Sequence, residues 1–354
     1  MRISIAMATY NGAKYILEQL QSLANQTLLP YELVVTDDGS TDDTLAIVER
    51  FAERAPFTVH VSANPQRLNF AGNFLRAASL CTGDWIAFCD QDDVWREDKL
   101  ERVARAASLP GTSMVVHRIQ PVDTELRPVS GRAAECRVRR GDGPERLPPF
   151  GYFAGLCTAF DAALLPLMLM RPRFPDAHDH AYEAAHDKWV CSIADAVGAV
   201  RYIRESLILY RQHGANTCGV AQHDLEHRWK QSVATGAASY QANADLASQY
   251  GATFERLANT PACAPWKAQL ERAAVRYRRT HAYLLARARL YSVHGFGSRL
   301  ALFASLCLRG SYRFNPIRPA HHALLKDLYL VLAQVRDRRV SSSEPEAASL
   351  QRKS

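Results

Sequence analysis

No stretch of this 354-residue chain reaches the roughly 20 consecutive apolar residues that a bilayer-spanning helix needs. The longest apolar run near the C-terminus, LALFASLCL, is about half that length, so a membrane-spanning class is not expected. Paired cysteines are also missing. The eight cysteines form no C-x-x-C pair, which argues against the common structural zinc sites. Several of them (Cys81, Cys89, Cys191 and Cys307) lie in apolar stretches and read as buried free thiols of a reducing compartment. The opening MRISIAMATYNG has a single positive charge and a short apolar run, so no secretory leader is read there. These absences place the chain in the cytoplasm, or peripherally on the cytoplasmic face of an inner membrane. There is no internal repeat. Acidic residues are in deficit, 36 against 43 Lys and Arg, for a net charge of +7. That balance favours anionic partners such as nucleotides, phosphorylated lipids or a membrane surface, and does not by itself call for nucleic acid.

A hydrophobic fraction of 47% is enough for a sizeable core. ISIAMATY reads as a strand ending at an NG turn, and KYILEQLQSLANQ follows with helical apolar spacing. YELVVTDDGS is a second strand; Ser40 or Thr41 is positioned to cap the helix DDTLAIVERFAERA. FTVHVSA, NFAGNFLRAASLC and DWIAFC read as strand, helix and strand. This alternation predicts an α/β fold with a Rossmann-like, mostly parallel sheet flanked by helices. In such sheets ligands bind beyond the carboxyl ends of the strands. The polar stretches TYNG, DDGS and DQDD all fall at such ends and are expected to converge on one edge. From about residue 112 the pattern is less regular, and GRAAECRVRRGDGPERLPP reads as a mobile loop.

The stretch FCDQDDVW sets Asp90, Asp92 and Asp93 directly after an apolar strand. A solvated, helix-capping turn is the plain reading. Against it, the strand is apolar enough to be central, which places the acids in the crevice. In extended chain Asp90 and Asp92 also point to the same side. Hard carboxylate oxygens placed so closely suit Mg²⁺ or Mn²⁺, whose shell is commonly completed by water and substrate phosphates. Two other enzyme classes fit poorly. A nucleotidyltransferase would carry a Gly-rich basic loop where ATYNGAKYI stands. A haloacid-dehalogenase phosphatase would carry a nucleophilic Asp where Ala8, Thr9 and Tyr10 stand.

Together, TYNGAKYILEQLQSLANQT, ELVVTDDGSTDDT, NFAGNF and GDWIAFCDQDDVW resemble the family 2 glycosyltransferases of GT-A fold, and most of all their rhamnosyltransferase-like branch. The similarity covers about the first 220 residues; in the tail only YRFNP continues it. The resemblance implies an inverting transfer from a nucleoside-diphosphate sugar, such as thymidine-diphosphate rhamnose or a UDP-hexose. The acceptor it implies is a saccharide or lipid-linked one, in surface-polysaccharide synthesis. It implies that Thr9, Tyr10 and Asn11 line the nucleotide pocket, that Asp37 accepts from a pyrimidine imide, and that Asp38 shapes that loop. Arg67 is implied at the base or phosphates. Asp90 and Asp92 match the family's D-x-D metal motif, Asp93 a contact to sugar or ribose hydroxyls, and His213 a position near metal or phosphate. The general base falls on Asp187 of AHDKWV, where Lys188 departs from the usual aromatic. His186 is expected to tune that base or touch substrate. A zinc reading of His178, His180 and His186 is the weaker alternative for DAHDHAYEAAHD. The same resemblance leaves open a degenerate GT-A protein that scaffolds a membrane assembly, against which the intact acids argue.

The expected organisation is a catalytic domain over 1–221, a basic helical extension over 222–340 and a disordered tail over 341–354. Arginines interleaved with Leu, Phe and Tyr in the extension read either as a packed helical subdomain with a solvated basic face or as a face lying on anionic lipid.

Overall fold

The computed structural model describes residues 1–129, 138, 143–170, 174–176, 184–214, 235–310, 312 and 320–332. Its first half alternates strand and helix as the periodicity predicts: β1 Ile3–Thr9, α1 Ile16–Ala24, β2 Glu32–Asp37, α2 Thr44–Ala52, β3 Thr58–Ala63, α3 Asn69–Leu80 and β4 Trp85–Cys89. Strands β1, β2 and β4 are buried almost throughout. That is why they read as unbroken apolar runs rather than alternating ones. After them come β5 Val94–Trp95, α4 Lys99–Ala107, β6 Thr112–Val122, β7 Thr158–Asp161, α5 Leu165–Leu169, α6 His186–Val197 and β8 Ala199–Arg211.

These strands form one eight-stranded sheet in the order β3-β2-β1-β4-β7-β6-β8-β5. The pairs β1–β2, β2–β3 and β1–β4 are parallel. Beyond β4 the sheet is mixed: β7 runs antiparallel to both β4 and β6, while β8 is parallel to β6. The chain steps outward from β1 to β3 and then returns to β4 on the other side of β1. The carboxyl ends of β1 and β4 therefore flank a topological switch point, the place where open α/β sheets bind ligands. TYNG, DDGS and DQDD all leave the sheet at this edge, as the sequence predicts. One detail differs. Ser40 and Thr41 do not cap α2; the Ser40 hydroxyl instead donates to Asp37, and Asp43 occupies the N-cap position.

Among the described residues four further helices follow: α7 Ala237–Ala258, α8 Lys267–Ser292, α9 Phe296–Leu308 and α10 Ala320–Leu332. Helices α7 and α8 pack along one another and against the sheet domain through aromatic rings. Tyr250 stacks on Phe174 at 4.2 Å and on Tyr277 at 5.0 Å, and Trp189 of α6 packs against Phe254. Arg276 of α8 pairs with the buried Asp195 of α6 at 2.9 Å, while Asp195 also accepts from the Arg146 and Leu147 amides. The apolar core runs continuously from the sheet into these helices. The expected boundary at 221/222 lies outside the described residues, as do the tail over 341–354 and most of the expected loop over 131–149. Among the described cysteines, Cys81, Cys89, Cys157, Cys191 and Cys263 are buried, whereas Cys307 is exposed, against expectation, because α9 turns that side outward. No helix among the described residues is long and apolar enough to cross a membrane.

The extension is closed by a buried polar clasp. Asp327 of α10, fully buried, accepts from Arg287 Nε at 2.8 Å, Tyr291 at 2.8 Å and Tyr312 at 2.9 Å. Asp327→Ala strands the Arg287 guanidinium without its counter-ion, and removing one partner of a buried pair typically costs about 3–5 kcal/mol. We expect a correspondingly lower unfolding midpoint for the helical extension in a denaturant titration. An unchanged midpoint would mean that solvent reaches the pair.

Candidate active site

Three loops at the β1–β4 edge are laced together by side chains. At the end of β1, Thr9 is buried and donates to Asp37 at 2.7 Å. Tyr10 follows, half-exposed, with the Arg67 guanidinium 4.0 Å above its ring. Asn11 takes a left-handed conformation (φ 49), which an Asx residue tolerates. Its amide donates to Ser40 Oγ, and its Oδ1 accepts from the Thr41 amide, both at 2.8 Å. Gln91 of the DQDD loop then grips the backbone of Tyr10 from both sides. The Tyr10 amide donates to Gln91 Oε1, and Gln91 Nε2 donates to the Tyr10 carbonyl, each at 3.0 Å. Gly12 leaves room for that grip, since a Cβ there would lie 2.3 Å from Gln91 Oε1 and would displace the Gln91 amide.

The DDGS acids have separate tasks. Asp37 is fully buried and spends both oxygens on its own turn, accepting from the Gly39 and Ser40 amides, the Ser40 hydroxyl and Thr9. Asp38 accepts with Oδ1 from Asn64 at 2.9 Å and the Leu68 amide at 2.7 Å. Asn73 of the NFAGNF helix donates to the Thr9 carbonyl and accepts from Asn64, joining the two loops. Asp37 thus spends both oxygens within the protein, whereas the hydrogen bonds of Asp38 fall on Oδ1.

Beyond β4, Asp90, Asp92 and Asp93 bring one carboxylate oxygen each within 4.8 Å of one another. Burial first, then the charges of Asp92 and Asp187, push Asp90 up to about 7. Burial first, then the charges of Asp90 and Asp92, push Asp93 well above the carboxylate range. Asp93 is fully buried, with Oδ1 accepting the Arg211 amide at 3.0 Å and Oδ2 without a partner among the described residues. Contact with sugar or ribose hydroxyls, expected from the sequence, does not fit that placement. His213 Nε2 lies 2.8 Å from Asp92 Oδ2, and its ring stacks on Tyr15 at 5.0 Å. Carboxylates repelling one another, an unmatched buried oxygen and an adjacent imidazole form a donor set that suits Mg²⁺ or Mn²⁺.

Asp187 sits in the first turn of α6, accepting from the Lys188 amide at 2.8 Å, and burial raises it to about 6. Its charge is felt by Asp90, so the two share one crevice. Lys188 turns away to pair with Asp176 and to sit 4.5 Å above the Tyr152 ring. His186 is buried among phenylalanines, stacked on Phe74 at 4.4 Å and edge-on to Phe88 at 4.7 Å. His178 and His180 of the zinc reading lie outside the described residues.

Three participants escape a linear reading. Gln91 is the x of D-x-D. Arg211, 1% exposed, donates to the Asp92 and Thr124 carbonyls and pairs with Glu18. Lys99 is also 1% exposed, donating to the Leu156 carbonyl at 3.0 Å, 3.4 Å from the Trp95 ring centre, with burial lowering it to about 8. Only Lys99 left a trace. It falls with Leu100, Val103 and Ala107 on the buried stripe of α4, a place for an apolar residue.

The raised Asp90 yields a signed prediction for the metal-free protein. A carboxyl whose folded pKa is raised stabilises the fold below its unfolded pKa and loses that contribution as pH climbs through the folded one. The window here runs from the ordinary carboxyl value to about 7. Asp90→Asn removes the ionisation, so it should stabilise the metal-free protein by about 1–3 kcal/mol at about pH 8 and hardly at all below about pH 4. Melting curves at both pH values check this, and equal shifts at the two would refute it.

Residues 4–157 match the family model described as Glycosyl transferase family 2. Over 218 residues, 61% of this chain and 66% of the relative, the sequence is 25% identical to an uncharacterized glycosyltransferase of Nostoc sp.. Over 99 residues, 27% of this chain and 34% of the relative, it is 39% identical to the dTDP-rhamnosyl transferase RfbG of Shigella flexneri. The matches thus span just under two thirds of the first relative and about one third of the second. Among solved structures, S. aureus TarS 1-349 in complex with UDP-GlcNAc superposes with a TM-score of 0.50 at 19% identity, covering 94% of this chain and 89% of that one. At that identity the likeness speaks to the fold.

Proposed function

We propose that the chain, whose residues 4–157 match the model of glycosyl transferase family 2, is an inverting, metal-dependent glycosyltransferase. It would move a sugar from a nucleoside diphosphate to a saccharide or lipid-linked acceptor in surface-polysaccharide synthesis. The observation that carries this reading is the cluster of Asp90, Asp92 and Asp93, one oxygen of each within 4.8 Å of the others, with His213 2.8 Å from Asp92; Asp187, whose charge helps raise Asp90, is the base in this reading. Thymidine-diphosphate rhamnose is the first donor to test, supported by the likeness to RfbG; UDP-hexoses come second, with TarS crystallised on UDP-GlcNAc.

In this reading the base lies against Tyr10, Arg67 and the open oxygen of Asp38, with Thr9, Asn11 and Asp37 holding the loop beneath it. Asp90, Asp92 and His213 would hold Mg²⁺ or Mn²⁺, which when bound offsets charge on the departing diphosphate. Asp187 takes the proton from the acceptor hydroxyl as that oxygen attacks the anomeric carbon. The bond to the diphosphate breaks on the opposite face, its electron pair leaves with the diphosphate, and the configuration inverts. At about 6, Asp187 is a stronger base than an ordinary carboxylate yet ionised at neutral pH.

Asp187→Asn keeps the shape of the side chain and cannot take the proton. Transfer should fall by on the order of 10²-fold or more while donor binding is unchanged. Near-normal transfer would remove Asp187 from the role, and lost donor binding would move it to the nucleotide pocket or the fold. In the parent, transfer should rise with pH through about 6 and level off above it, as Asp187 loses its proton.

Chelation should abolish tight nucleoside-diphosphate binding, and Mn²⁺ should restore it in the parent but not in Asp92→Asn. Calorimetric titration with and without Mn²⁺ reads this directly; an unaltered cation response in the variant refutes the metal assignment. Slow hydrolysis of a nucleotide sugar to free nucleoside diphosphate would separate an active transferase from a degenerate scaffold.

A further inference from the structure

Helices α9 and α10 carry apolar residues outward as well as inward. In α10 the fully buried Asp327, with Ala323, Leu330 and Val331, faces the protein, while Leu325, Tyr329 and Leu332 face solvent at 59%, 52% and 63% exposure. In α9 the buried positions are Arg299 and Leu306. Its outward side carries Phe296, Leu300 and Leu308, the last 88% exposed. The spacings 296-300-308 and 325-329-332 each follow one helical face. The two helices pack against each other, so the stripes lie on neighbouring elements. A helix in water turns its apolar stripe inward, and a contiguous outward one marks a surface that something else covers.

Charge identifies the cover. Residues 267–332 hold 12 Lys and Arg against two Asp and Glu, a net of +10 in a chain whose total is +7. The rest of the molecule is therefore net negative. The exposed Arg309 follows Leu308 directly, and Arg336, Arg338 and Arg339 come soon after Leu332 in the sequence. A second copy docking on this face would set two such cationic regions against each other. The remaining chain, AQVRDRRVSSSEPEAASLQRKS, has too few apolar residues to lie over the stripes. Apolar stripes with the exposed Arg309 beside them, in a segment of positive net charge, match the headgroup boundary of an anionic bilayer, where the rings and leucines enter the acyl edge and the cations meet phosphate. At 13 residues, α9 is about 20 Å long, too short to span and long enough to lie flat.

We propose that the outward faces of α9 and α10 seat the protein on an anionic lipid bilayer. The surface deepens the glycosyl-transfer reading, because it would bring the crevice to a lipid-carried acceptor, but its binding is measured without turnover and stands or falls separately.

The test is co-sedimentation of the full chain with vesicles of phosphatidylglycerol and phosphatidylethanolamine, and with vesicles of phosphatidylcholine alone. Partitioning should be at least about tenfold stronger on the anionic vesicles and should weaken as salt is raised. The double variant Leu308→Glu, Leu325→Glu should lose about tenfold or more of that partitioning. Both sites are exposed, so its melting curve should match the parent's. Equal binding to both vesicle types, or undiminished binding by the double variant, overturns the proposal. So would a parent dimer, seen by light scattering, that the same two substitutions dissolve, since the face would then belong to a second copy.

Discussion

Like charges crowded into a place with little water are the constraint around which this molecule is organised. Asp90, Asp92, Asp93 and Asp187 share a crevice in which each raises the cost of ionising another. The protein answers with groups that a surface loop would not need. The Lys99 ammonium is buried beneath the acids, its field opposing theirs. Arg211 ties down Asp92 and Asp93 by backbone contacts and spends its remaining donors on Thr124 and Glu18. The compensation is partial, since Asp93 keeps an oxygen unmatched among the described residues. A crevice left short of positive charge is predisposed toward a cation, and through it toward a diphosphate.

The sheet makes that crowding possible. Because β1 and β4 are neighbours with parallel direction, loops 81 residues apart in the chain meet at one edge, as in the pairing of Gln91 with Tyr10. The antiparallel β7 and the long β8 then bring the second half of the chain round. Arg211 and His213 thereby arrive at the same acids from more than a hundred residues away. The helices beyond contribute stiffness. The ring stack joining Phe174, Tyr250 and Tyr277, together with the Asp195–Arg276 pair, holds α6, and Asp187 rides on the first turn of α6.

The first half of the fold was legible because its signals are local. Apolar runs ended by polar turns mark buried parallel strands, and β1 to β4 fall where they were expected. The acids after β4 were legible for the same reason. What a linear reading could not supply was pairing. Nothing in DDGS says that Asp37 spends both oxygens on hydrogen bonds within the protein, and nothing in AHDKWV says that His186 packs among phenylalanines contributed by α3 and β4. The linear reading took Cys307 as buried, because an apolar helix was assumed to face inward. The burial of Lys99 was legible only in its register, which sets it with Leu100, Val103 and Ala107 on the inner side of α4.

The two-sided grip of Gln91 on Tyr10 has a consequence for how this site could change over time. The loop that would meet the base and the loop that would meet the diphosphate form one mechanical body, and Gly12 is the clearance that lets them close. A side chain at position 12 would push the Gln91 amide off Tyr10, and a shorter residue at 91 would likewise release the loop after β1. Donor preference in such a chain would therefore drift by paired substitutions across the switch point. A nucleotide loop transplanted from a relative without its partner at 91 would arrive with the wrong key.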